Sequence, residues 1–193
     1  EIAKNYYYHN DQQRELTIDS SNIDSEKLNA YRELIEARPM KTEFPTSLNL
    51  LGDIKCSFKL DFGSFRDLQR HRALNQRMPL ITFDLGFNKF YLESLPNDTL
   101  KRALSHLAEI ELMVKDLDLS REDMQYLIPM GFNTANSFTG TLPALVYMVE
   151  LRATRFVHPT LRAVAQDIAK YIRDEMNIPM HLDQEAGMFD VRR

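Results

Sequence analysis

The clearest pattern along the chain is a strict alternation of apolar and polar residues between positions 53 and 60. Its apolar members are Ile54, Cys56, Phe58 and Leu60, and its polar members are Asp53, Lys55, Ser57 and Lys59. A period of two predicts a β-strand with one face on a core and the other in solvent. The alternation favours an antiparallel sheet, because strands buried on both faces form near-continuous apolar runs.

Apolar residues at helical spacing predict several helices around this strand. The first begins at an N-cap, Asp24 or Ser25, and ends before Pro39. The other predicted helices begin at Asp61, Asn97, Ser120, Thr141 and Pro159, and the longest carries an apolar stripe from Leu100 to Leu117. The balance of helices and strands predicts an α+β fold in which several helices pack on an antiparallel sheet.

The remaining segments define the predicted domain boundaries. Residues 1–21 are polar apart from three adjacent tyrosines and are interpreted as a lead-in or linker, and residues 180–193 as a mobile tail. Residues 131–140 are rich in Asn, Thr and Ser and predict a polar loop, whereas residues 80–83 allow a short strand. A single domain spanning residues 22–179 is therefore expected.

Composition fits one compact domain and narrows the class of protein. The chain has 193 residues, of which 44% are hydrophobic and 27% are charged, enough to bury a sizeable core. A formal net charge of -4 argues against nucleic-acid binding, which normally uses a broad basic surface. The chain has a single cysteine, no apolar run of membrane-spanning length and no signal-peptide pattern. These features predict a soluble, cytoplasmic protein without membrane contact.

Positive charge is nevertheless concentrated between positions 65 and 77. Four arginines lie there, Arg66, Arg70, Arg72 and Arg77, together with His71. The helix dipole offers one explanation. Arg70, His71 and Arg72 are expected in the last turn of the helix that begins at Asp61, where the dipole favours cations by about 0.3 to 1 kcal/mol each. An anion site offers another, because charge-assisted hydrogen bonds from arginine to phosphate are worth about 1.5 to 3 kcal/mol each.

The spacing of the two inner arginines restricts how such a site is built. On a regular helix Arg70 and Arg72 project about 200 degrees apart and cannot face the same pocket. Either the helix ends before them, or they serve different surfaces, such as a ligand site and a subunit interface. The chain has neither a GxGxxG nor a Walker A loop, and its five histidines are too scattered for a usual zinc site.

Two blocks of this sequence resemble the flavin-dependent (alternative) thymidylate synthase family. Arg70-His71-Arg72 matches the start of that family's signature, R-H-R-x-x-S-x-N-x-x-S-x-R. Its C-terminal block is matched in the same order and spacing by Ile128-Pro129, Thr134 and Leu151-Arg152. The resemblance covers roughly residues 50–178, and it implies the family's α+β fold.

The resemblance also implies a chemistry and a set of ligands. Members of this family are cytosolic homotetramers that bind FAD, dUMP and methylenetetrahydrofolate at subunit interfaces, and make dTMP with NADPH as reductant. By this resemblance, Arg70, His71 and Arg72 contact the flavin and its phosphates, and Arg152 holds the dUMP phosphate. A small shift of the loop after Arg72 would bring Arg77 to the place of the signature's last arginine, as a second substrate contact.

Several signature positions carry other residues in this chain. Counting from Arg72, the family's second serine falls on Leu80 and its last arginine on Thr82. Leucine cannot hydrogen-bond to a uracil, and threonine cannot pair with a phosphate as a guanidinium does. Two flavin-contacting asparagines of the family fall on Thr141 and Tyr147. The first two arginines of the signature, Arg70 and Arg72, are thus kept, while much of the set of residues that recognises the nucleotide is replaced.

Two functional hypotheses therefore stand side by side. The first is an enzyme, a divergent flavin-dependent thymidylate synthase or a relative acting on another nucleotide, assembled as a homo-oligomer. The second is a catalytically inactive domain of the same fold that serves as a binding or assembly module, such as one half of a longer tandem protein. The flavin spectrum and the turnover of dUMP distinguish these hypotheses.

Overall fold

The computed structural model describes residues 1–8, 16–185 and 187 of the chain. In chain order these residues form α1 (Ile2–Tyr8), β1 (Thr17–Asp19), α2 (Ser25–Ala30), α3 (Arg32–Glu36), β2 (Asp53–Asp61), α4 (Phe62–Leu68), β3 (Asn75–Arg77), α5 (Phe90–Glu93), α6 (Asn97–Asp116), α7 (Arg121–Met124), β4 (Asn133–Thr141), α8 (Leu142–Arg152) and α9 (Pro159–Asp174). A 3₁₀ helix, Thr46–Leu51, precedes β2. None of the helices in this described part is long and apolar enough to span a membrane.

The strands form one antiparallel sheet in the order β1-β2-β4-β3. Strands β2 and β4 pair along their whole length, from Asp53 opposite Thr141 to Asp61 opposite Asn133. Each continues directly into a helix, β2 into α4 and β4 into α8. Because the strands are antiparallel, α4 and α8 start at opposite ends of this central pair. The predicted α+β fold with an antiparallel sheet is confirmed.

The main core combines the alternating strand with the helices α4, α8 and α9. Ile54 and Phe58 of β2 belong to it together with Leu145 and Val149 of α8 and Ile168 of α9. Burying each such side chain contributes about 1.5 to 3 kcal/mol. The apolar positions of the alternation are the buried ones, as the sequence pattern predicts.

The prediction of a polar loop at residues 131–140 is wrong, because most of this segment is the central strand β4. Three of its polar residues, Asn133, Thr134 and Asn136, are buried and take part in hydrogen bonds. The side-chain amide of Asn133 donates to the carbonyl of Leu85 at 3.1 Å, and that of Asn136 donates to Oγ1 of Thr134 at 2.8 Å. Pairing on both edges and these side-chain bonds override a composition typical of turns.

Several shorter elements differ from the sequence prediction in their bounds. The helix expected after Asp24 is divided into α2 and α3, although the Asp24 carboxylate does accept the predicted capping bond, from the backbone nitrogen of Lys27 at 3.0 Å. The short strand considered at residues 80–83 is not formed, and strand β3 lies at Asn75–Arg77 instead. This shift places β3 beside β4 directly after the Arg-His-Arg segment.

The long helix α6 forms as predicted, but only part of its apolar stripe is buried. Leu107 and Val114 pack around Phe132 in a second, smaller core. Leu104 and Leu117, which belong to the same predicted stripe, are exposed. Helix α6 therefore carries apolar surface that the described part of the chain leaves uncovered.

Residues near both ends of the chain contribute to the domain, which changes the predicted boundaries. Thr17–Asp19 form the edge strand β1 beside β2, although residues 1–21 were interpreted as a linker. Towards the other end, Leu182 packs against the main core, and an oxygen of Asp183 lies 2.6 Å from a guanidinium nitrogen of Arg155. Half of the tail predicted at residues 180–193, namely residues 186 and 188–193, lies outside the described residues.

Candidate functional site

Helix α4 ends before the Arg-His-Arg segment, which is one of the two arrangements that the spacing allows. Leu68 is its last residue, and the prediction that Arg70, His71 and Arg72 form its last turn is wrong. The side-chain nitrogen of Gln76 donates to the backbone carbonyls of Leu68 and His71 at 3.0 and 2.9 Å. These bonds hold the turn in place, so the 200-degree separation of a regular helix does not apply to the two arginines.

The fold brings Arg152 into contact with His71. Arg152 is the last residue of α8, and its Nε donates to Nε2 of His71 at 2.8 Å. A terminal nitrogen of the same guanidinium donates to the backbone carbonyl of Asp67, also at 2.8 Å. His71 and Arg152 are 81 positions apart, so this contact joins the two sequence blocks that carry the family resemblance.

His71 is a neutral imidazole in this arrangement. Because its Nε2 accepts a bond from a guanidinium, the ring proton resides on Nδ1. Burial of the ring, followed by the positive charge of Arg152, lowers the pKa of His71 to about 4. At neutral pH the positive charge of the site therefore comes from its arginines alone.

Three arginines line a surface cavity of 490 Å³ at this turn. Arg66, Arg70 and Arg72 form the cavity together with Gln69. An Asp67 oxygen lies 3.8 Å from Nε of Arg70, at the long end of the ion-pair range. Guanidinium groups bind phosphate and carboxylate through paired hydrogen bonds, so this cavity fits an anion. We call it the arginine cavity.

Arg77 does not line the arginine cavity. It lies on β3, and its Nε donates to the backbone carbonyl of Tyr6 at 2.8 Å. Its guanidinium lies over the Tyr6 ring, 5.3 Å from the ring centroid. The fold thus brings Arg70, His71 and Arg152 together, while Arg77 contacts the N-terminal helix α1.

A hydrogen-bonded cluster ties the start of α4 to the start of α9. Oγ of Ser64 lies 3.1 Å from Nδ1 of His158 and 2.7 Å from Oγ1 of Thr160. Asp61, which is fully buried, accepts bonds from the backbone nitrogen of Ser64 and the hydroxyl of Tyr91, both at 3.0 Å. Burial lowers the pKa of His158. His158 therefore acts as a structural residue that connects the start of α9 to α4.

Tyr147 is a neighbour of the site that the sequence reasoning did not select. Its ring centroid lies 6.1 Å from that of His71 in an edge-to-face arrangement, and 47% of the residue is exposed. The signal that could have found it is its place on α8, five residues before Arg152, where it replaces an asparagine of the family.

Comparison with known proteins gives partial matches to longer proteins. The UPF0159 protein of Chlamydia muridarum is 32% identical over 113 residues, which is 58% of this chain and 21% of that protein. The UPF0159 protein of Chlamydia pneumoniae is 32% identical over 119 residues with the same coverage, and that of Thermoplasma acidophilum is 28% identical over 142 residues, 72% of this chain and 28% of that protein. No protein-family model matches the chain. The chain is thus similar to UPF0159 proteins and spans about a fifth to a quarter of their length.

Proposed function

We propose that this chain is a divergent domain of the flavin-dependent thymidylate synthase type, which binds FAD and a nucleotide phosphate at the arginine cavity. Its fold is then that of the family, and the ligand phosphates lie against Arg70, Arg72 and Arg152. NADPH is the proposed reductant. When bound, FAD would supply the hydride that converts a transferred methylene group into a methyl group.

The contact between His71 and Arg152 is the observation that carries this proposal. The two residues come from separate blocks of the family signature, and Nε of Arg152 lies 2.8 Å from Nε2 of His71. The neutral His71 accepts this hydrogen bond and leaves the positive charge of Arg152 uncompensated. Their contact is readily understood if this corner of the fold serves to present guanidinium groups to an anion.

The residues present fit the phosphate part of the proposed ligands better than the uracil part. Arg66, Arg70 and Arg72 offer several hydrogen-bond donors around one cavity. In contrast, Leu80 and Thr82 stand where the family has a serine and an arginine. The backbone nitrogen of Leu80 donates to the carbonyl of Tyr7 at 3.2 Å, so this segment is held by the N-terminal helix.

A second candidate function is a catalytically inactive module of the same fold, acting in binding or assembly. The UPF0159 relatives are several times longer than the matched segment, which covers 21% to 28% of their length. A domain that is one part of a longer tandem protein can lose catalytic residues when another part keeps them. The replacements at Leu80 and Thr82 are consistent with such a loss.

Flavin binding by the purified protein tests the first proposal. We expect a flavin absorption spectrum after purification or after addition of FAD. We also expect Arg72→Ala to weaken FAD binding about 10- to 100-fold, because one charge-assisted hydrogen bond is worth about 1.5 to 3 kcal/mol. Arg173→Ala is the matched control, since Arg173 is an exposed arginine on α9 that pairs with Asp174 at 2.8 Å.

Two further outcomes separate the candidates. A protein that stays colourless and acquires no flavin spectrum with excess FAD would contradict the flavin proposal. Formation of dTMP from dUMP with FAD, NADPH and methylenetetrahydrofolate would rule out the inactive module, and FAD binding without turnover would favour it.

A further inference from the structure

A second cavity, of 480 Å³, lies against the outer face of α8. Its walls come from residues 40–43, from α8 and from residues 181–183. Apolar surface is contributed by Met40, Tyr147 and Leu151, all of which are exposed. We call it the α8 cavity.

Glu150 holds both loops of the α8 cavity against the helix. Its carboxylate pairs with the guanidinium of Arg38 through contacts of 2.5 and 3.1 Å, and it accepts a bond from the backbone nitrogen of His181 at 2.7 Å. Arg38 also donates to the carbonyl of Thr42 at 2.9 Å. The cavity is therefore built before a ligand arrives, which lowers the ordering cost of binding.

Three acidic residues line the α8 cavity; one of them is Glu43, and the other two already have partners. Glu150 is paired with Arg38, and Asp183 is paired with Arg155. What the cavity offers a ligand is mainly the Tyr147 ring and aliphatic surface, with polar groups at the margin. Such a lining fits a flat, largely apolar group.

An aromatic contact connects the α8 cavity to the Arg-His-Arg segment. Tyr147 lines the α8 cavity, and its ring lies edge-to-face with the ring of His71, 6.1 Å between centroids. His71 in turn accepts the hydrogen bond of Arg152 and is flanked in sequence by Arg70 and Arg72. His71 therefore connects the ring of Tyr147 with the guanidinium of Arg152 and with the segment that carries Arg70 and Arg72.

We propose that the α8 cavity binds the planar heteroaromatic ring of the phosphate-bearing ligand, with the ring stacked on Tyr147. This inference rests on the proposed function, because it takes the arginine cavity as the phosphate site. It adds a ring site whose loops, residues 40–43 and 181–183, lie outside the part of the chain that resembles the thymidylate synthase family. The ring is the isoalloxazine of a flavin or the base of a nucleotide, which share this chemistry.

Calorimetric titrations with FAD, dUMP and inorganic pyrophosphate test the ring site. We expect Tyr147→Leu to weaken binding of one of the two ring ligands about tenfold or more, since stacking on an aromatic side chain is worth about 1 to 3 kcal/mol per base. We expect pyrophosphate binding to be unchanged by this substitution and weakened by Arg72→Ala. Tyr126→Leu is the matched control, because Tyr126 is an exposed tyrosine that lines neither cavity. Leu151→Asp, which places a carboxylate in the α8 cavity, is expected to act like Tyr147→Leu.

The outcomes separate this inference from the proposed function. Loss confined to FAD identifies a flavin ring, and loss confined to dUMP identifies a nucleotide base. If Tyr147→Leu leaves the binding of both ring ligands unaffected, or weakens the binding of pyrophosphate equally, the proposal of a ring site is wrong. The proposal of a phosphate site is then unaffected. If the wild-type protein binds pyrophosphate but neither ring ligand, the ring site is again wrong. If it binds none of the three, the proposed function fails as well.

Discussion

At the level of single residues, His71 and Arg152 have different roles in the candidate site. Arg152 carries a positive charge, and His71 holds that charge in position. The imidazole accepts a hydrogen bond from the guanidinium and is buried, and both facts disfavour its charged form. His71 therefore orients Arg152 without adding a positive charge of its own at neutral pH. The arginines of the cavity set the affinity for an anion, and His71 sets the direction of Arg152, whose side chain is outside the lining of that cavity.

We expect this arrangement to make folding stability depend on pH. Below pH 6.5 the unfolded His71 takes up a proton, whereas the folded residue resists protonation until about pH 4. Neutral His71 therefore contributes to the free energy of unfolding above pH 6.5. This contribution, about 2 to 3 kcal/mol in all, is lost as the pH falls through 4. Denaturant titrations at a series of pH values measure this loss. His71→Gln, whose amide oxygen can accept from Arg152 at every pH, is expected to remove it.

His106→Gln is the matched control, because His106 lies exposed on α6. The lowered pKa of His158 adds a pH dependence of the same sign, and this part is common to the wild type and both variants. The diagnostic quantity is therefore the difference between His71→Gln and the wild type. Parallel stability curves for these two proteins would show that His71 does not titrate as its surroundings indicate.

At the level of elements, α8 links the core, the arginine cavity and the α8 cavity. Its inner face carries Leu145 and Val149, which are fully buried. Its outer face carries Tyr147 and Glu150, and its last residue is Arg152. A single helix thus fixes the relative positions of the ring surface, the loop-holding carboxylate and one guanidinium group.

We expect Glu150→Ala to lower the free energy of unfolding by about 3 to 5 kcal/mol, because it leaves the buried guanidinium of Arg38 without its carboxylate. The Arg38 side chain is only 4% exposed. Glu111→Ala is the control: its pair with Lys115, at 2.6 Å on the surface of α6, should contribute less than about 1 kcal/mol. Denaturant unfolding measures both values. Equal effects of the two substitutions would contradict the role given to Glu150.

The elements that sequence reasoning located are those whose burial follows a simple period. β2 alternates, and α6, α8 and α9 have apolar residues at helical spacing with recognisable starts. β4 was not predicted because its polar residues form hydrogen bonds with partners distant in sequence, such as the bond from Asn133 to the carbonyl of Leu85. No local pattern carries that information.

In the candidate site too, residues in a local sequence pattern were predicted, and features formed by distant segments were not. Arg70, His71 and Arg152 were selected because they match letters of the thymidylate synthase signature that this sequence resembles. The α8 cavity was not found, since its walls come from three segments that meet only in the folded chain. Arg77 was grouped with the other arginines by its nearness in sequence, but strand β3 carries it to the N-terminal helix.

At the scale of the whole molecule, helix α6 extends apolar surface away from the main core. Leu107 and Val114 pack in the second core, while Leu104 and Leu112 are 48% and 64% exposed. The first half of the helix carries Lys101 and Arg102 against one acid, Asp98, and the second half carries Glu109, Glu111 and Asp116 against one base, Lys115. Two copies of α6 packed antiparallel would cover the exposed leucines and bring opposite charges together, as in a two-fold symmetric interface.

We expect the chain to form a homo-oligomer through this helix, which native mass spectrometry or sedimentation velocity measures. Leu104→Glu combined with Leu112→Glu is expected to yield monomers, because burying two unpaired carboxylates in an apolar contact costs more than a typical interface recovers. Leu50→Glu is the control, since Leu50 is exposed on the 3₁₀ helix and not on α6. A monomeric wild-type chain at micromolar concentration would contradict the prediction. Dissociation by the control as well would show that added negative charge, and not the α6 surface, governs assembly.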